Sequence, residues 1–570
     1  MEGKESLNSA RDRIWIRGAL IAGAALNFFI HWPLIVHDPI TTRDDHLLID
    51  PLLKISSLRD YFSALRDGAI FDVQPLRDLG FWLNIKASYF FGFGTFHLTN
   101  VFLWIACLAV SSRIVSREIG NARISAFIVL LLAIHPAMAN SVAWISAEKH
   151  LWAALFALLA TDILLSHPSS KQAPWKAAAM YFFSLLAQPI HIFIPLWFLL
   201  RGVLARQSAF VRAAAVCAPV SALFAAINIY YYRVIYTSIA PTSKFAQISL
   251  ADSIGMPPLS VGRCLIQLAA PFWLSAEYYL GSKPNLVGLI LLPIFAWVCI
   301  KRLGWRFAVI WLVFTFLPVT WLALARTNIF ASDSYLLLSA TGFAVLVGRL
   351  IEPWVARSAM SRRVFAAAGI LIAVIFYWAS ARQSFTWRSD DSIFENIFRV
   401  EKTPHSEAYI GLRLLERQRY DEALELGKEL IQWAPSDPAT SIFYARAVYL
   451  SPRLSDDQKL DLLKQGRGVG KWPDYYASIL SAKKRDFWRA YVLAQDSVQA
   501  GRGAFGKALE SAVAETYSYC GHVRAAQICD EMVNQYRRSA RNWSEPEFQR
   551  RLGEINQAEK AAMTSTNPKP

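Results

Sequence analysis

The stretch TTRDDHLLID at residues 41–50 sets Asp44 beside Asp45, with Arg43 in front, directly after the first long apolar run of the chain. Adjacent carboxylates in that place have two readings. They are solvated loop charge, or they line a cavity where a general base or a metal ligand is required. The following stretch, LLKISSLRDYFSALRDG, is amphipathic and favours a loop lying along a membrane interface, with the acids held near its start. Among the histidines, His46, His97 and His135 lack metal-ligand spacing, so no zinc site is expected. Four of the six cysteines (Cys107, Cys217, Cys264 and Cys299) stand in apolar segments and read as small hydrophobes. Cys520 and Cys529 are about two helical turns apart, a poor distance for a disulfide.

The elements that must position these residues are set by composition. The chain has 570 residues, 54% of them hydrophobic, with several long stretches poor in charge, which indicates a polytopic membrane protein. A net charge of +16 raises nucleic acid as a partner. Most Lys and Arg, however, stand in short gaps between apolar runs, the pattern of cytoplasmic loops, and no nucleic-acid partner is expected. The polar opening MEGKESLNSARDR and the lack of a cleavage site read as an uncleaved signal anchor. Candidate spans lie near 14–36, 95–115, 122–140, 150–167, 208–230, 284–301, 305–325, 333–351 and 363–381. The run 174–203 carries Pro189 and Pro195 and reads as two short helices meeting near Gln188; the run 258–279 carries Arg263, Pro271 and Glu277 and reads as a re-entrant or interfacial segment. The total is about eleven spans with the N-terminus inside. That topology puts residues 37–94, 141–149, 233–283, 326–333 and everything after about 382 on the outer face.

After the bundle (1–381) and a connector (382–403), the expected fold remains all-α. In SEAYIGLRLLERQRYDEALELGKELIQWAP, Gly411, Leu414, Tyr420, Ala423 and Pro435 stand at the spacing of one tetratricopeptide repeat, a helix hairpin whose small residues let two helices approach closely. Ala445 fits the next small position, and Gly521 and Ala526 fit a later one. The reading is a helical-repeat domain over 404–540 and a polar tail over 541–570. Such arrays supply a concave binding surface, or merely stabilise an assembly.

Further stretches occur in order: QPLRDLGFWLNIKASYFFGFGTFHLTNVFLWIACL at 74–108, HPAMANSVAWISAEKHLWAALFALLA at 135–160, APFWLSAEYY at 270–279, SDSYLLLSATGFAVLVG at 332–348, then Trp387 and the repeats. Together they resemble the transmembrane and tetratricopeptide-repeat O-mannosyltransferases and their bacterial relatives, within the wider GT-C class of polyprenol-dependent glycosyltransferases. The resemblance covers almost the whole chain. The family's acidic pair falls on Asp44 and Asp45. Its R-P-L-x-x-L-x-F-x-L-N element falls on Gln74, Pro75, Leu76, Leu79, Phe81, Leu83 and Asn84, and its H-L-x-N on His97, Leu98 and Asn100. Its His-Pro and A-W-I-S fall on His135, Pro136 and Ala143, Trp144, Ile145, Ser146.

The resemblance implies transfer of a sugar from a polyprenyl-phosphate donor to a hydroxyl acceptor, a protein reached through the repeats, on the outer face of the membrane; that face is a periplasm or an organelle lumen, and the compact length and limited repeat number favour the periplasmic side of a bacterial inner membrane. An alcohol is a poor nucleophile, so a carboxylate must take its proton as it attacks the anomeric carbon, which inverts that centre in one step. Asp44 is the first candidate and Asp45 orients the acceptor or shares the role. The departing phosphate needs a cation or a divalent metal, Mg or Mn; Lys149 is best placed, with Arg326 and Arg77 assisting. Each cation also has a plain alternative, a lipid-headgroup contact. Gln74, His97, His135, Glu277, Tyr278, Asp333 and Tyr335 complete the expected cavity.

The chain departs from the family's pattern. Asn140 stands where the family has Glu, and Glu148, Lys149, His150 where it has Arg-Lys-Asp. Ala187, Gln188, Pro189 replace Ser-Lys-Glu; Asp333, Ser334, Tyr335 replace Asp-Arg-Tyr; and Glu277, Tyr278 replace Asp-Tyr. Either the donor differs, or Arg326 and Arg77 compensate, or catalysis has been lost and the scaffold kept. The competing expectations are the same chemistry on a glycolipid or polysaccharide, and a non-catalytic membrane scaffold whose repeats bind envelope-assembly partners.

Overall fold

A computed structural model describes residues 10–38, 45–66, 73–92, 94–230, 261–276, 278–279, 306–324, 329–331, 333–435, 438–466 and 472–484, with isolated positions at 293–294, 297, 489, 493 and 550. The chain divides into two units: Met1–Ala64, Asp72–Tyr230 and Phe245–Thr403 in the first, and Leu65–Phe71, Tyr231–Lys244 and Pro404–Pro570 in the second. The described residues are helical apart from one short antiparallel pair, β1 (Tyr278–Tyr279) and β2 (Ile329–Ala331), which matches Tyr278 with Ala331.

The first unit opens with α1 (Ala10–Val36), followed by α2 (Asp45–Leu53), the amphipathic α3 (Leu58–Arg66) and α4 (Pro75–Phe91). α4 starts on a proline, whose missing N–H costs a first turn nothing, and stops at Gly92 in the left-handed region. α5 (Phe96–Ile119) ends the same way at Gly120. Asn121 then caps α6 (Ala122–Ala133), its side chain accepting from the amides of Arg123 and Ile124. α7 (Pro136–Ala143) follows a bend of 49°, and α8 is Glu148–Ser166.

The run 174–203 breaks at Gln188, whose extended backbone separates α9 (Ala173–Ala187) from α10 (Ile194–Ala205). α11 is Ser208–Tyr230, α12 covers 261–269, α13 is Arg306–Leu324, α14 Leu337–Arg357, α15 Ala359–Phe385 and α16 Asp390–Val400. One apolar core joins α1, α5, α6, α8, α9, α10, α13 and α14, with Trp104, Trp197, Trp311, Phe198 and Phe210 buried in it. Ile370, Leu371, Val374 and Trp378 of α15 are instead exposed, the pattern of a helix whose neighbour is lipid.

Among the described residues six helical segments are long and apolar enough to cross a membrane: Ala10–Val36, Phe96–Ile119, Ile145–Ser166, Ser208–Asn228, Asp333–Arg357 and Ala359–Arg388. The bent pair α6–α7 makes a seventh if it counts as one span. This fits a multi-pass membrane protein. The difference from the expected eleven has identifiable sources. α9 and α10 have only 15 and 12 residues. In the run 305–325, the side chains after Phe316 lie outside the described residues, which leaves the apolar stretch Phe307–Phe316. The run 284–301 lies almost wholly outside the described residues.

In the second unit, α17 (Pro404–Glu416), α18 (Tyr420–Trp433), α19 (Pro438–Leu450), α20 (Asp456–Gln465) and α21 (Trp472–Lys483) pack on one another. Ala408, Ala423, Leu430 and Phe443 form one small core; Tyr444, Leu460, Leu463, Ala477 and Leu480 form the next. Gly411 lies against Phe443, where an added Cβ would stand 2.1 Å from the ring. Gly521, Ala526, Cys520 and Cys529 lie outside the described residues, as does the tail 541–570 apart from Arg550.

Candidate functional site

The segment 135–150 is the centre on which distant parts of the first unit meet. His135 caps α7, its Nδ1 accepting from the Ala137 amide at 3.3 Å, and its Nε2 lies 2.9 Å from the Leu268 carbonyl of α12. One turn later stands Asn140. Its Oδ1 accepts from Gln383 Nε2 and from Trp387 Nε1, each at 2.7 Å, and its Nδ2 donates to Asp333 Oδ2. Asp333 Oδ1 in turn accepts from Gln267 Nε2 at 2.7 Å and from the Tyr278 hydroxyl at 3.0 Å. The Tyr278 hydroxyl also accepts from the Ser275 amide at 2.8 Å, while the Arg263 guanidinium lies 4.4 Å from its ring centre. Burial and the neighbouring Asp333 hold that phenol well above its ordinary range.

The chain then leaves α7 through the A-W-I-S turn. Asn100 of α5 fixes the turn, its Nδ2 donating to the carbonyls of Val142 at 3.2 Å and Trp144 at 2.9 Å. Trp144 stacks on Trp387 with ring centres 5.6 Å apart, and Lys149 Nζ sits 5.6 Å from the Trp144 ring. At Ser146 both the amide, at 3.0 Å, and the hydroxyl donate to Asp45 Oδ1, which is completely buried. His150 meets the Tyr335 ring edge-on at 5.1 Å.

Beside this turn lies a second polar group. Glu148 accepts from Asn84 Nδ2 at 2.9 Å and from Trp152 Nε1 at 3.0 Å. Asn84 Oδ1 is itself held by the hydroxyls of Thr95 and Thr99 at 3.0 and 2.6 Å. Gly80 makes room for the carboxylate, because a Cβ there would stand 2.1 Å from Glu148 Oε1. The buried Arg77 pairs with Asp78 (Nε to Oδ1, 2.8 Å), and Tyr61 of α3 donates to Asp78 Oδ2 at 2.7 Å.

A third group stands where α1 ends. Asp38 Oδ2 accepts from the His97 amide at the start of α5 over 3.2 Å, and Asp38 Oδ1 lies 3.7 Å from His97 Nε2. Both side chains are buried, and burial raises the Asp38 carboxyl to about 7.

Of the residues expected from sequence, Asp45, His135, Tyr278, Asp333 and Tyr335 come together around the 135–150 segment, with Lys149 on it. Arg77 is placed within electrostatic reach of Glu148 rather than beside Lys149's ring contact. Gln74 is the buried cap position of α4, with no side-chain bond to that helix's amides. Asp44, Arg326 and Glu277 lie outside the described residues. Sequence reasoning passed over Asp38, Asp78, Gln267 and Gln383. Asp38, in a His-Asp-Pro step directly after an apolar span, was the one with a local signal.

Among the described residues no three His, Cys, Asp or Glu side chains are grouped to hold a metal ion. Comparison of the chain with protein-family models, with curated proteins and with solved structures finds no match.

Proposed function

We propose that this chain is a membrane glycosyltransferase that moves a sugar from a polyprenyl-phosphate donor to a hydroxyl acceptor on a protein. One observation carries the reading. Side chains from α2, α4, α5, the turn before α14 and the end of α15 bond to, or stack on, residues 135–150, the Leu268 carbonyl of α12 meets His135, and Tyr278 of β1 joins through Asp333. Motifs spread over more than half of the chain therefore share one polar centre at one end of an apolar bundle. A polar centre of that size inside lipid-facing helices is expensive unless it is used.

In this reading Asp44 takes the acceptor's proton, Asp45 orients the acceptor or shares that role, and Ser146 keeps the Asp45 carboxylate in one orientation. Lys149 and Arg326, with Arg77 assisting, bear the charge that develops on the departing phosphate. A divalent cation, Mg or Mn, would add to that charge stabilisation. The finer architecture belongs to the same proposal: about eleven spans, an inner N-terminus, and tetratricopeptide-type hairpins over 404–540 that recruit the acceptor on the periplasmic side of a bacterial inner membrane.

A specific observation favours a second reading. Asp45, Asp78, Glu148 and Asp333 each accept at least two bonds from protein donors, as structural acceptors do. A scaffold that has kept the fold and binds envelope partners through its repeats would look the same.

Transfer of labelled hexose from polyprenyl phosphate to protein, measured in membranes bearing the full chain, separates the two. Asp44→Asn with Asp45→Asn should abolish transfer while leaving expression and thermal stability near wild type. Unchanged phenotype in that variant supports the scaffold. Transfer that survives removal of residues 404–540 points to a lipid or polysaccharide acceptor.

A further inference from the structure

The Asp38–His97 group is separate from the hydrogen bonds that organise residues 135–150. Asp38 Oδ1, both ring nitrogens of His97 and Nε2 of His31 are buried and have no hydrogen-bond partner among the described residues. His31, on α1, uses its other nitrogen on the Ser384 hydroxyl at 2.9 Å. Each such atom would be costly if left dry, and native folds leave few of them. Here two of them, Asp38 Oδ1 and His97 Nε2, face one another.

The geometry identifies what fits. Asp38 Oδ1 and His97 Nε2 are 3.7 Å apart, too far for a direct hydrogen bond. Both atoms can lie about 2.8 Å from a single oxygen set to one side of the line between them. That oxygen must donate to the carboxylate and accept from, or donate to, the imidazole. A hydroxyl does both. Among the described residues the groups that face Asp38 are the amides of Phe96 and His97 and the His97 ring, all from the start of α5.

We propose that Asp38 and His97 form a hydroxyl-binding site, and that during transfer the hydroxyl it holds belongs to the acceptor. The second half rests on the glycosyltransferase reading. In that step Asp38 takes over the base's part from the Asp44–Asp45 pair, which then orients the acceptor: the alcohol oxygen bonds to the anomeric carbon as its proton passes to Asp38 Oδ1. The bond from that carbon to the donor's phosphate oxygen breaks, and its electron pair leaves on the phosphate.

The test uses the full chain in lipid nanodiscs. A density map without acceptor should show an ordered oxygen within hydrogen-bond distance of Asp38 Oδ1 and His97 Nε2. A map with a synthetic serine- and threonine-containing peptide should show that oxygen continuous with a peptide side chain. An empty position in both maps overturns the site. A water retained unchanged while peptide binds elsewhere overturns the acceptor assignment.

Kinetics provide the second arm, with polyprenyl-phosphate mannose and glucose as donors. Asp38→Asn should lower kcat for peptide about 100-fold with little change in peptide KM, and His97→Gln should shift the acid limb of the pH profile. Equal turnover and an unaltered profile in both variants overturn the catalytic half. If the wild type transfers from neither donor yet the oxygen density stands, the site survives as a water site and the glycosyltransferase reading fails.

Discussion

Ser146 donates its amide to Asp45 Oδ1 over 3.0 Å and adds its hydroxyl to the same oxygen, across 101 residues of chain. The bond ties the segment that follows the first span to the turn between α7 and α8. It explains why a short polar turn is kept inside an apolar bundle: without Ser146, a buried carboxylate would lose two donors at once.

Ser146→Ala removes the hydroxyl and leaves the amide. A hydrogen bond to a buried charged group contributes about 1.5–3 kcal/mol, so the variant should unfold measurably earlier in a detergent thermal melt. Ser146→Thr keeps the hydroxyl and should recover most of the loss. If both variants melt with the wild type, Asp45 is not held by this bond.

The reading from sequence reached further for the motifs than for their neighbours. Asp45, Asn84, Asn100, His135 and Ser146 carry local patterns, and the fold joins them through bonds whose ends are tens of residues apart. Asp38 and Gln267 carry little: an acid at the end of a span and an amide on a short helix read as ordinary loop and interface chemistry. Their burial is decided by α5 and by Asp333, which arrive from 59 and 66 residues away. The break at Gln188 was legible because two prolines are local facts, and the bend between α6 and α7 likewise falls on the His135–Pro136 step, where a helix end was one of two readings; what the sequence did not show is that His135 also reaches Leu268 of α12.

Asn140→Asp tests the link to Asp333. It replaces a donor by a second carboxylate within bonding distance of the first, in a fully buried place. Leaving such a group unpaired costs about 3–5 kcal/mol, and the single variant should be poorly expressed. The exchange variant carrying both Asn140→Asp and Asp333→Asn restores one donor and one acceptor. It should regain much of the stability in a double-mutant cycle; purely additive losses would mean that the pair is not coupled.

Gly80→Val tests the packing of α4 on α8. A Cβ at this position would stand 2.1 Å from Glu148 Oε1 and 3.2 Å from Trp152 Nε1. Glu148 must move, and its bond from Asn84 is strained or lost. Overpacking of this kind costs about 1–3 kcal/mol. Gly80→Val in a Glu148→Ala background should be milder than in the wild type, as read from melting midpoints.

The raised carboxyl of Asp38 predicts a pH dependence with a definite sign. Its ordinary value is 3.8 and burial lifts it to about 7, so between those limits the folded chain holds a proton that the unfolded chain releases. Stability contributed by the protonated acid is therefore complete below about pH 4, falls as pH rises, and is flat above about pH 7. The full change for this group is about 4 kcal/mol. Asp38→Asn should remove that slope and leave the rest of the profile in place. A wild-type profile that rises over the same window, and is unchanged by the substitution, would contradict the assignment.

Gly411→Ala addresses the second unit. The added carbon would lie 2.1 Å from the Phe443 ring, which belongs to the small core shared with Ala408, Ala423 and Leu430. Alanine is the better helix former by about 1 kcal/mol, so propensity alone predicts a gain. The clash opposes it, because Phe443 is completely buried and has no solvent side to turn towards. Overpacking at about 1–3 kcal/mol exceeds the propensity gain, and the variant should be less stable. Phe443→Leu together with Gly411→Ala relieves the contact and should melt above Gly411→Ala alone. Limited proteolysis of the full chain, read at bonds within 404–484, checks the ordering; a stabilised Gly411→Ala would show that α17 does not approach α19 through this glycine.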